Sequence, residues 1–384
     1  MNSGTLGSFA PPLFPLFEHQ DRTFSSAFSI LDDALADRVF PGASIAVTQG
    51  GRLVALRAFG RSTYELESPL ITTDTMFDLA SVSKVVATTT VAMILYERGL
   101  LDLDAPVVGI VPEFAGAEFA GAGAGDADAR RRAITLRMLL AHSSGLPAYE
   151  KLFWKARTRE QLLRAAFTTP LVAAPGTRAE YSDIGFMVLC EALERVAAET
   201  LDRFCQREVF GPLGMAHTTY NPPPEARAAI PPTQDDRTFR KRIIQGEVQD
   251  ENASVLGGVA GQAGVFSTAE DVARFAHALL GGGTPILRPE TVRLFTRRET
   301  APAGTSRALG WDRPSPPSQS GKYFSTLAYG HLGYTGTSLW IDPVRELSVV
   351  LLTNRTWPDS SNWAIKQVRP KFHDAVVEAL DAAV

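Results

Sequence analysis

Strand-like segments lie near both ends of this sequence, and helix-like segments fill the middle. Near the amino end, ASIAVT (43–48) and RLVALRAFG (52–60) are rich in apolar and β-branched residues and are separated by the turn residues QGG, which predicts a hairpin. Near the carboxyl end, TSLWIDP (337–343) and ELSVVLLTN (346–354) are joined by a short Asp-Pro turn. Because hairpins pair their strands antiparallel, we predict one antiparallel sheet assembled from the two chain ends.

Apolar residues at helical spacing predict helices around and between these strands. One helix begins near Ser81 and closes at Gly99, since glycine readily adopts the left-handed backbone of a helix end. Further helices are predicted at 26–39, 158–168, 184–198, 200–208, 268–283 and 361–382, and loops at 114–132, 221–236 and 313–322. The predicted fold class is α/β of the α+β type.

The order of these segments predicts two lobes and a short extension. We expect residues 25–78 and 265–384 to form an α/β lobe, in which helices flank the sheet. Residues 79–264 would form an inserted, mainly helical lobe, and residues 1–24 an amino-terminal extension. A chain of 384 residues is long enough for either one large domain or two such lobes.

The composition excludes several classes of function. Hydrophobic residues make up 45% of the chain and charged residues 21%, which is ordinary for a soluble globular protein. The formal net charge of -4 gives no basic footprint for nucleic acid. Arg22, the first basic residue, follows the apolar part of the amino terminus, which is the reverse of a secretory signal, and the apolar run 85–96 is too short to cross a bilayer. We therefore expect a cytoplasmic protein that binds neither membrane nor nucleic acid.

Cysteine and histidine usage predicts no disulfide framework and no metal centre. Cys190 and Cys205 lie in apolar, helix-like surroundings, so we expect two reduced thiols in the core. The six histidines are scattered without metal-ligand spacing. The sequence also contains no G-x-S-x-G, H-E-x-x-H or Walker A motif. We therefore predict no metal and no cofactor.

The segment FDLASVSKVVATTT places a serine and a lysine three positions apart near a helix start. Residues i and i+3 share one helix face with Cβ atoms roughly 5–6 Å apart, so the Lys84 amine can reach the Ser81 hydroxyl. The helix amino terminus adds free N–H groups and partial positive charge, which suit a nucleophile that develops negative charge. Lys84 also interrupts an apolar helix, where a lysine is costly unless it is paired or functional. From these residues alone, a catalytic pair and an incidental serine on a buried helix both remain open.

Two later motifs give this pair a context. A Tyr-Ser-Asp triplet at 181–183 precedes an apolar helix, and a His-Leu-Gly triplet at 331–333 leads into a strand. In this order the three motifs resemble those of the penicillin-recognising serine hydrolases, a family that comprises β-lactamases, DD-peptidases and related esterases. That family has Ser-x-x-Lys, then Tyr-x-Asn or Ser-x-Asn, then Lys-Thr-Gly or His-Thr-Gly. The resemblance covers nearly the whole chain from about residue 25, and includes LLAHSSGLP (139–147), VFGPLGM (209–215), GGVAGQAGVFSTAEDVARF (257–275) and GYTGTSLWIDP (333–343).

The resemblance implies a β-lactamase/transpeptidase-like fold and a catalytic role for three side chains. Ser81 would be the acylated nucleophile, and Lys84 would activate it. Tyr181 would be the partner base that later protonates the leaving group. The backbone N–H groups of Ser81 and Tyr334 would form the oxyanion hole, because Tyr334 directly follows the third motif.

The supporting residues implied by the resemblance are Asp183, His331 and Gly333. Of these, Asp183 departs from the family pattern, which often has asparagine at this position. A carboxylate near Lys84 would raise the pKa of the lysine and keep it charged. We hypothesise that Lys84 is then an electrostatic partner and that Tyr181 carries the proton, although a phenol with a pKa of about 10 needs nearby positive charge to act as a base. Asp183 could equally cap the helix that follows it, and both roles can hold together. Whether Lys84 or Tyr181 is the base stays open.

The third motif departs from the family pattern at two positions. His331 replaces the commoner lysine, and a histidine with a pKa of about 6.5 is mostly neutral at pH about 7.5. Leu332 replaces a threonine that helps to hold a substrate carboxylate. The weakened anionic anchor favours an esterase acting on small acyl substrates, with weak or no β-lactamase activity.

Two other functions stay open for the same sequence. One is a β-lactamase or D-Ala-D-Ala carboxypeptidase, and the other is a non-catalytic ligand-binding or sensor protein on the same fold. The expected partner is a small-molecule ester or amide. The sequence makes no prediction of the oligomeric state.

Overall fold

A computed structural model describes residues 12–115 and 130–383, so most of the predicted loop at 114–132 lies outside the described residues. The strands are Phe14–Pro15 (β1), Gly42–Gln49 (β2), Arg52–Gly60 (β3), Phe77–Asp78 (β4), Thr219–Tyr220 (β5), Gln234–Asp236 (β6), Arg242–Ile244 (β7), Val265–Ser267 (β8), Tyr329–Leu332 (β9), Ser338–Asp342 (β10) and Leu347–Thr353 (β11). The α-helices are Gln20–Thr23, Ser25–Ala36, Thr90–Glu97, Leu136–Leu140, Arg159–Thr168, Asp183–Ala197, Leu201–Cys205, Pro224–Arg227, Glu251–Val255, Ala269–Leu280, Pro289–Thr296 and Ile365–Ala382. Tighter 3₁₀ turns span Ala80–Val82, Val107–Gly109, Pro112–Ala115 and Leu152–Trp154, and wider π-helical turns span Lys84–Thr89 and Gln206–Phe210.

Six strands form the main sheet in the order β1-β3-β2-β11-β10-β9. β2 and β11 come from opposite ends of the chain and pair antiparallel at its centre, with Val47 opposite Val349. β2–β3 and β10–β11 are the two predicted hairpins. The prediction of an antiparallel sheet built from both chain ends is therefore confirmed. Two edge strands were not predicted: β1, which pairs parallel with β3, and β9, which pairs with β10.

The two central strands are buried on both faces, which explains their nearly continuous apolar sequence. Side chains alternate across a strand, so Val47 and Val349 face the amino- and carboxyl-terminal helices Ser25–Ala36 and Ile365–Ala382. Their neighbours Ala46 and Val350 belong to the larger core on the opposite face. The sheet is thereby covered on both sides, as the predicted α+β class requires.

Most predicted helices are present, with ends that differ by up to four residues. The helix predicted at 268–283 runs from Ala269 to Leu280, and the Thr268 hydroxyl caps it by accepting a hydrogen bond from the Asp271 N–H. The loop predicted at 221–236 was partly wrong. It contains the helix Pro224–Arg227 and the strand β6, which pairs with β7.

The two predicted lobe boundaries meet in space. β4 pairs antiparallel with β8, so that Phe77 lies opposite Ser267 and Asp78 opposite Phe266. The chain therefore leaves the region of the main sheet after β4 and returns to it at β8, and these two strands are neighbours in the structure. This supports our proposal of an α/β lobe formed by 25–78 and 265–384 and an inserted helical lobe formed by 79–264.

Cys190 and Cys205 are free and buried, which confirms the predicted core thiols. None of the helices in the described ranges is long and apolar enough to span a bilayer. Within the same ranges no cluster of three or more His, Cys, Asp or Glu side chains could bind a metal ion.

Candidate active site

Ser81 lies in a tight turn that the Asp78 carboxylate holds in place. One carboxylate oxygen of Asp78 accepts a hydrogen bond from the Ala80 N–H at 2.8 Å, and the other accepts one from the Gln249 N–H at 2.7 Å. Ala80 has a φ of +46°, in the left-handed region that non-glycine residues rarely adopt. The turn leads through π-helical geometry into the α-helix Thr90–Glu97, so the helix predicted to begin near Ser81 is confirmed. The Ser81 hydroxyl therefore sits, partly exposed, at the amino end of a buried helix.

The Lys84 side chain is fully buried and its amine meets three oxygen atoms. The amine nitrogen Nζ lies 3.0 Å from the Ser81 hydroxyl oxygen, 2.6 Å from the Asp183 carboxylate and 3.0 Å from the Gln262 main-chain carbonyl. The centroid of the Tyr181 ring lies 4.8 Å from the same nitrogen. Although the side chain is buried, its amine lies within hydrogen-bond distance of the serine predicted to react.

Tyr181 completes the cluster around Ser81. Its hydroxyl donates to the Ser81 oxygen at 2.7 Å and lies 3.0 Å from the same Asp183 carboxylate oxygen that binds Lys84. The Tyr181 ring packs on the His142 ring at 4.8 Å. His142 also accepts the Ser182 N–H on its Nδ1 at 3.1 Å, which fixes the loop that carries the tyrosine.

Ser182, and not Asp183, caps the helix Asp183–Ala197. The Ser182 hydroxyl accepts a hydrogen bond from the Gly185 N–H at 3.0 Å, as an N-cap does. The capping role suggested for Asp183 was therefore wrong. Asp183 is the first residue of the helix, and its carboxylate turns toward Lys84 instead.

Burial and neighbouring charges shift the pKa values of these groups. Burial lowers the pKa of Lys84, and the Asp183 carboxylate raises it only in part. Burial, followed by the Asp183 charge, raises the pKa of Tyr181 well above its usual value. Asp183 thus acts in the expected direction on Lys84, but burial outweighs it. These directions favour a neutral amine and a neutral phenol, which is opposite to the hypothesis that Lys84 stays charged while Tyr181 carries the proton.

The third motif lies beside the Ser81 turn, with His331 inside β9 rather than before a strand. The Nδ1–H of His331 donates to the Leu332 carbonyl at 2.8 Å. His331 is buried, and burial lowers its pKa well below the usual value. His331 is consequently a neutral side chain, as predicted from its ordinary pKa.

Gly333 and Tyr334 begin the turn between β9 and β10, which packs directly on the segment before Ser81. The Thr337 hydroxyl donates to the Leu79 carbonyl at 2.9 Å. A Cβ at Gly333 would lie 2.5 Å from that same carbonyl oxygen, so only glycine fits there. In the part of the chain that the structure describes, neither the Ser81 N–H nor the Tyr334 N–H donates a hydrogen bond. The turn thus brings two free N–H groups to the same region of the site.

Comparison with known proteins decides the family. The sequence model of the family described as Beta-lactamase matches residues 28–366. The chain belongs to the beta-lactamase family. It is 33% identical to the N-acetylmuramyl-L-alanine amidase of Bacillus subtilis (strain 168), over 82% of this chain and 77% of that protein. It is 32% identical to a protein of Escherichia coli (strain K12) that is provisionally named D-alanyl-D-alanine carboxypeptidase, over 82% of this chain and 79% of that one.

Solved structures agree on the fold of this beta-lactamase-family chain. The structure of EstCE1, described as a hydrolase with promiscuous acyltransferase activity, superposes with a TM-score of 0.74 at 24% identity. The match covers 93% of this chain and 99% of that one. The chain therefore has the β-lactamase/transpeptidase-like fold and, with its family, is a serine hydrolase.

Several residues of this beta-lactamase-family site were not found by sequence reasoning. Gln262 contributes only a main-chain carbonyl, which no side-chain pattern reveals. Asp78 could have been recognised, since an Asp two residues before a tight turn often accepts the backbone N–H of that turn. Asp250 is a further carboxylate of the site: burial, followed by the Asp183 charge, raises its pKa to about 7. Arg307 reaches the site from a distant hairpin, with its guanidinium carbon 5.7 Å from the centroid of the Tyr181 ring.

Proposed function

We propose that this serine hydrolase cleaves carboxylic esters of small acyl substrates through a covalent acyl-Ser81 intermediate, with weak or no β-lactamase activity. The observation that carries the proposal is the Ser81 hydroxyl oxygen, which lies 3.0 Å from the Lys84 amine and 2.7 Å from the Tyr181 hydroxyl. A partly exposed serine with a proton acceptor on one side and a proton donor on the other meets the geometric requirement for nucleophilic catalysis.

Lys84 is the better candidate for the base that receives the Ser81 proton. Two oxygens, from Asp183 and Gln262, accept hydrogen bonds from its amine. A neutral amine that donates to both keeps its lone pair for the third direction, which points to the Ser81 hydroxyl. As the Ser81 oxygen bonds to the substrate carbonyl carbon, its proton moves to Lys84, and the resulting ammonium is held by the same oxygens.

Tyr181 is the candidate donor to the leaving group. Its raised pKa keeps the phenol protonated at neutral pH, so it can give a proton to the departing oxygen as the carbonyl–oxygen bond breaks. The proton held by Lys84 then restores the phenol through the shared contacts with Ser81 and Asp183. In the second half-reaction water attacks the acyl-enzyme, and the proton transfers run in reverse.

The N–H groups of Ser81 and Tyr334 are the proposed oxyanion hole. Both are free of other hydrogen bonds in the described ranges, and the Gly333 turn packs against the segment that leads to Ser81. Such donors stabilise the negative charge that develops on the carbonyl oxygen.

The third motif supports esters over β-lactams. A neutral, buried His331 offers no charge to a β-lactam carboxylate, and the side chain of Leu332 offers no hydroxyl. An ester with a good leaving group needs less transition-state stabilisation from such contacts than a β-lactam or peptide does.

The second candidate function is hydrolysis of an amide or of a D-alanyl-D-alanine peptide. It is favoured by the relatives themselves, since the proteins that share 33% and 32% identity are named an amidase and, provisionally, a carboxypeptidase. The same acyl-enzyme chemistry serves this reaction, with an amine as the leaving group.

One experiment tests both candidates. We expect wild-type protein to hydrolyse p-nitrophenyl acetate and butyrate with a higher kcat/KM than a chromogenic cephalosporin or an acetylated D-alanyl-D-alanine peptide. We expect Ser81→Ala to lower kcat by on the order of 10⁴-fold or more, because the nucleophile is lost. Intact-mass spectrometry of the quenched wild type should show one added acyl group.

The matched control is Ser29→Ala, which removes an exposed serine from the helix Ser25–Ala36 and should leave kcat unchanged. Equal activity in Ser81→Ala would overturn the nucleophile assignment. A higher kcat/KM for the peptide would replace the first candidate with the second. A single acylation without turnover would identify a binding or sensor protein.

A further inference from the structure

One oxygen that binds the Lys84 amine comes from the main chain, the carbonyl of Gln262 at 3.0 Å. In the described ranges neither the Gln262 N–H nor the Ala263 N–H donates a hydrogen bond to another backbone group. The peptide that carries this carbonyl consequently lacks the backbone pairing that would fix it in a helix or a sheet. Its direction depends on the Gln262 side chain and on the contact with Lys84 itself.

The Gln262 side chain is 1% exposed, so its polar atoms are sheltered from water. Its amide nitrogen donates to one carboxylate oxygen of Asp250 at 3.2 Å. Its amide oxygen has no hydrogen-bond partner among the described residues. A buried polar side chain is oriented by the hydrogen bonds that it makes, so Asp250 is the residue that orients Gln262.

Asp250 is itself fixed at the start of the helix Glu251–Val255. The carboxylate oxygen that binds the glutamine also accepts the Ala253 N–H at 2.6 Å, as an N-cap does. The preceding residue donates its N–H to the Asp78 carboxylate, which also holds the turn of Ser81. One short segment is thereby tied to the turn of the nucleophile and to the loop that holds the amine.

Asp250 also acts on the site through its charge. Burial lowers the pKa of Lys84, and the charges of Asp183 and then Asp250 raise it in part. Arg240, which donates to the carbonyls of the two residues before Asp250, is paired with Asp236. The other titratable or charged side chains around Lys84 and Asp250 are Asp183, Glu251, Tyr149, Tyr181, His142, His331 and Arg307. A test that leaves all of these unchanged separates the charge of Asp250 from its hydrogen bond.

We propose that Asp250 is a positioning residue for proton transfer, which acts through the Gln262 side chain to aim the Gln262 carbonyl at the Lys84 amine. With this carbonyl and the Asp183 carboxylate in place, the amine directs its lone pair to the Ser81 hydroxyl. If the carbonyl turns away, one N–H of the buried amine loses its acceptor, and the amine can rotate away from the serine. The inference rests on the proposed acyl-Ser81 hydrolysis with Lys84 as its base.

Three single variants separate the hydrogen bond from the charge and from the helix cap. Asp250→Asn keeps an acceptor for the cap and for Gln262 but removes the charge. Asp250→Ser keeps the cap, since serine is as good an N-cap, but is too short to reach Gln262. Gln262→Leu keeps the carbonyl, the cap and the charge but removes the amide. We would measure kcat and KM for p-nitrophenyl butyrate from about pH 5 to 10, with circular dichroism as a check on folding.

We expect Asp250→Ser and Gln262→Leu each to lower kcat roughly 10–100-fold, because a small misplacement of a reacting group is costly in rate. KM should change by less than about threefold. The double variant Asp250→Ser/Gln262→Leu should be about as slow as the slower single variant, because both changes remove the same contact.

Asp250→Asn should instead keep the plateau value of kcat within about threefold of wild type, since its hydrogen bonds remain. The limb of its pH profile that reports Lys84 should move to lower pH, because a charge that raises the pKa of the amine is lost. Gln262→Leu leaves the carboxylate in place, so its limb should move less.

The matched control is Thr158→Ala, which removes the cap of the helix Arg159–Thr168 and should leave kcat unchanged. The inference would be overturned, with the hydrolase intact, if Asp250→Ser and Gln262→Leu kept kcat within about threefold of wild type. Losses that multiply in the double variant, or an equal loss in Asp250→Asn and Asp250→Ser, would overturn it too. Ester hydrolysis that persists in Ser81→Ala would instead overturn the proposed function.

Discussion

Two cation–carboxylate pairs lie around the Tyr181 ring, and they differ in almost every physical respect. The pair Lys84–Asp183 joins a fully buried amine to a carboxylate that is 16% exposed, and both partners also contact the hydroxyl of Ser81 or Tyr181. The pair Arg307–Asp312 is partly exposed at both partners and touches the cluster only through the face of the Tyr181 ring. The first pair contacts the Ser81 hydroxyl directly, whereas the second lies at the edge of the cluster.

The difference shows what burial does to a charge. Burial lowers the pKa of Lys84, although the Asp183 carboxylate beside it raises that pKa in part. Arginine differs from lysine in this respect, because burial shifts the pKa of a lysine readily whereas the delocalised guanidinium keeps its proton in proteins. Lys84 and Arg307 therefore differ both in residue type and in depth of burial.

The largest effect within this comparison is expected from Lys84→Met. Methionine keeps the length of the side chain but removes the amine, so Ser81 loses the proton acceptor that we propose for it. We expect kcat for a neutral phenyl ester to fall roughly 10²–10⁴-fold, as for loss of a general base, with a smaller change in KM. Steady-state kinetics with circular dichroism as a check on folding measures this.

Lys322→Met is the control, because this lysine is exposed and its amine lies over the ring of Tyr323. It should leave kcat within about twofold. If Lys84→Met retains kcat within about threefold of wild type, Tyr181 and not Lys84 receives the Ser81 proton.

The sequence predicted the spatial grouping of Ser81, Lys84 and Tyr181 better than it predicted their electrostatics. Ser81, Lys84 and Tyr181 follow from motif order and helix spacing, and the structure brings them within hydrogen-bond distance. The net pKa shift of Lys84 does not follow, because it depends on the depth of burial, which is a property of the assembled core. The net pKa shift of Lys84 is therefore downward, whereas the sequence-based hypothesis expected it to be upward.

The second pair could not be predicted at all. Arg307 and Asp312 lie five positions apart in a stretch without recognisable periodicity. They come close to the site only because Asp312 pairs with Gly330 of β9. β9 is a short edge strand that the sequence did not predict. By contrast, β2 and β11 were predicted from apolar runs long enough to identify them.

Asp183→Asn should have an intermediate effect, visible mainly in the pH dependence. The Asp183 carboxylate raises the pKa of Lys84 while burial lowers it, so removing the negative charge lets the pKa fall further. The limb of the kcat/KM profile that reports Lys84 should therefore move to lower pH, by about 1–3 units. A pH–rate profile from about pH 5 to 10 with a neutral ester measures the shift.

The limb that moves also identifies the base. The acid limb moves if the neutral amine of Lys84 accepts the proton, and the alkaline limb moves if a charged Lys84 supports a Tyr181 phenolate. A profile that does not move at all would contradict the electrostatic role of Asp183.

The smallest effect is expected on the free energy of unfolding when the pair Arg307–Asp312 is removed. In Arg307→Gln/Asp312→Asn both charges are replaced, so the free energy of unfolding should change by about 1 kcal/mol or less. Arg307→Gln alone should be less stable than the double variant at neutral pH, because it leaves an unpaired carboxylate.

Burial already raises the pKa of Asp312, and loss of the Arg307 charge raises it further. The ionised Asp312 therefore destabilises the single variant increasingly as pH rises above about 4, and the penalty disappears when the carboxyl group is protonated at lower pH. Urea unfolding of the single and double variants at several pH values measures this, and a pH-independent difference would show that the pair acts through packing instead of charge.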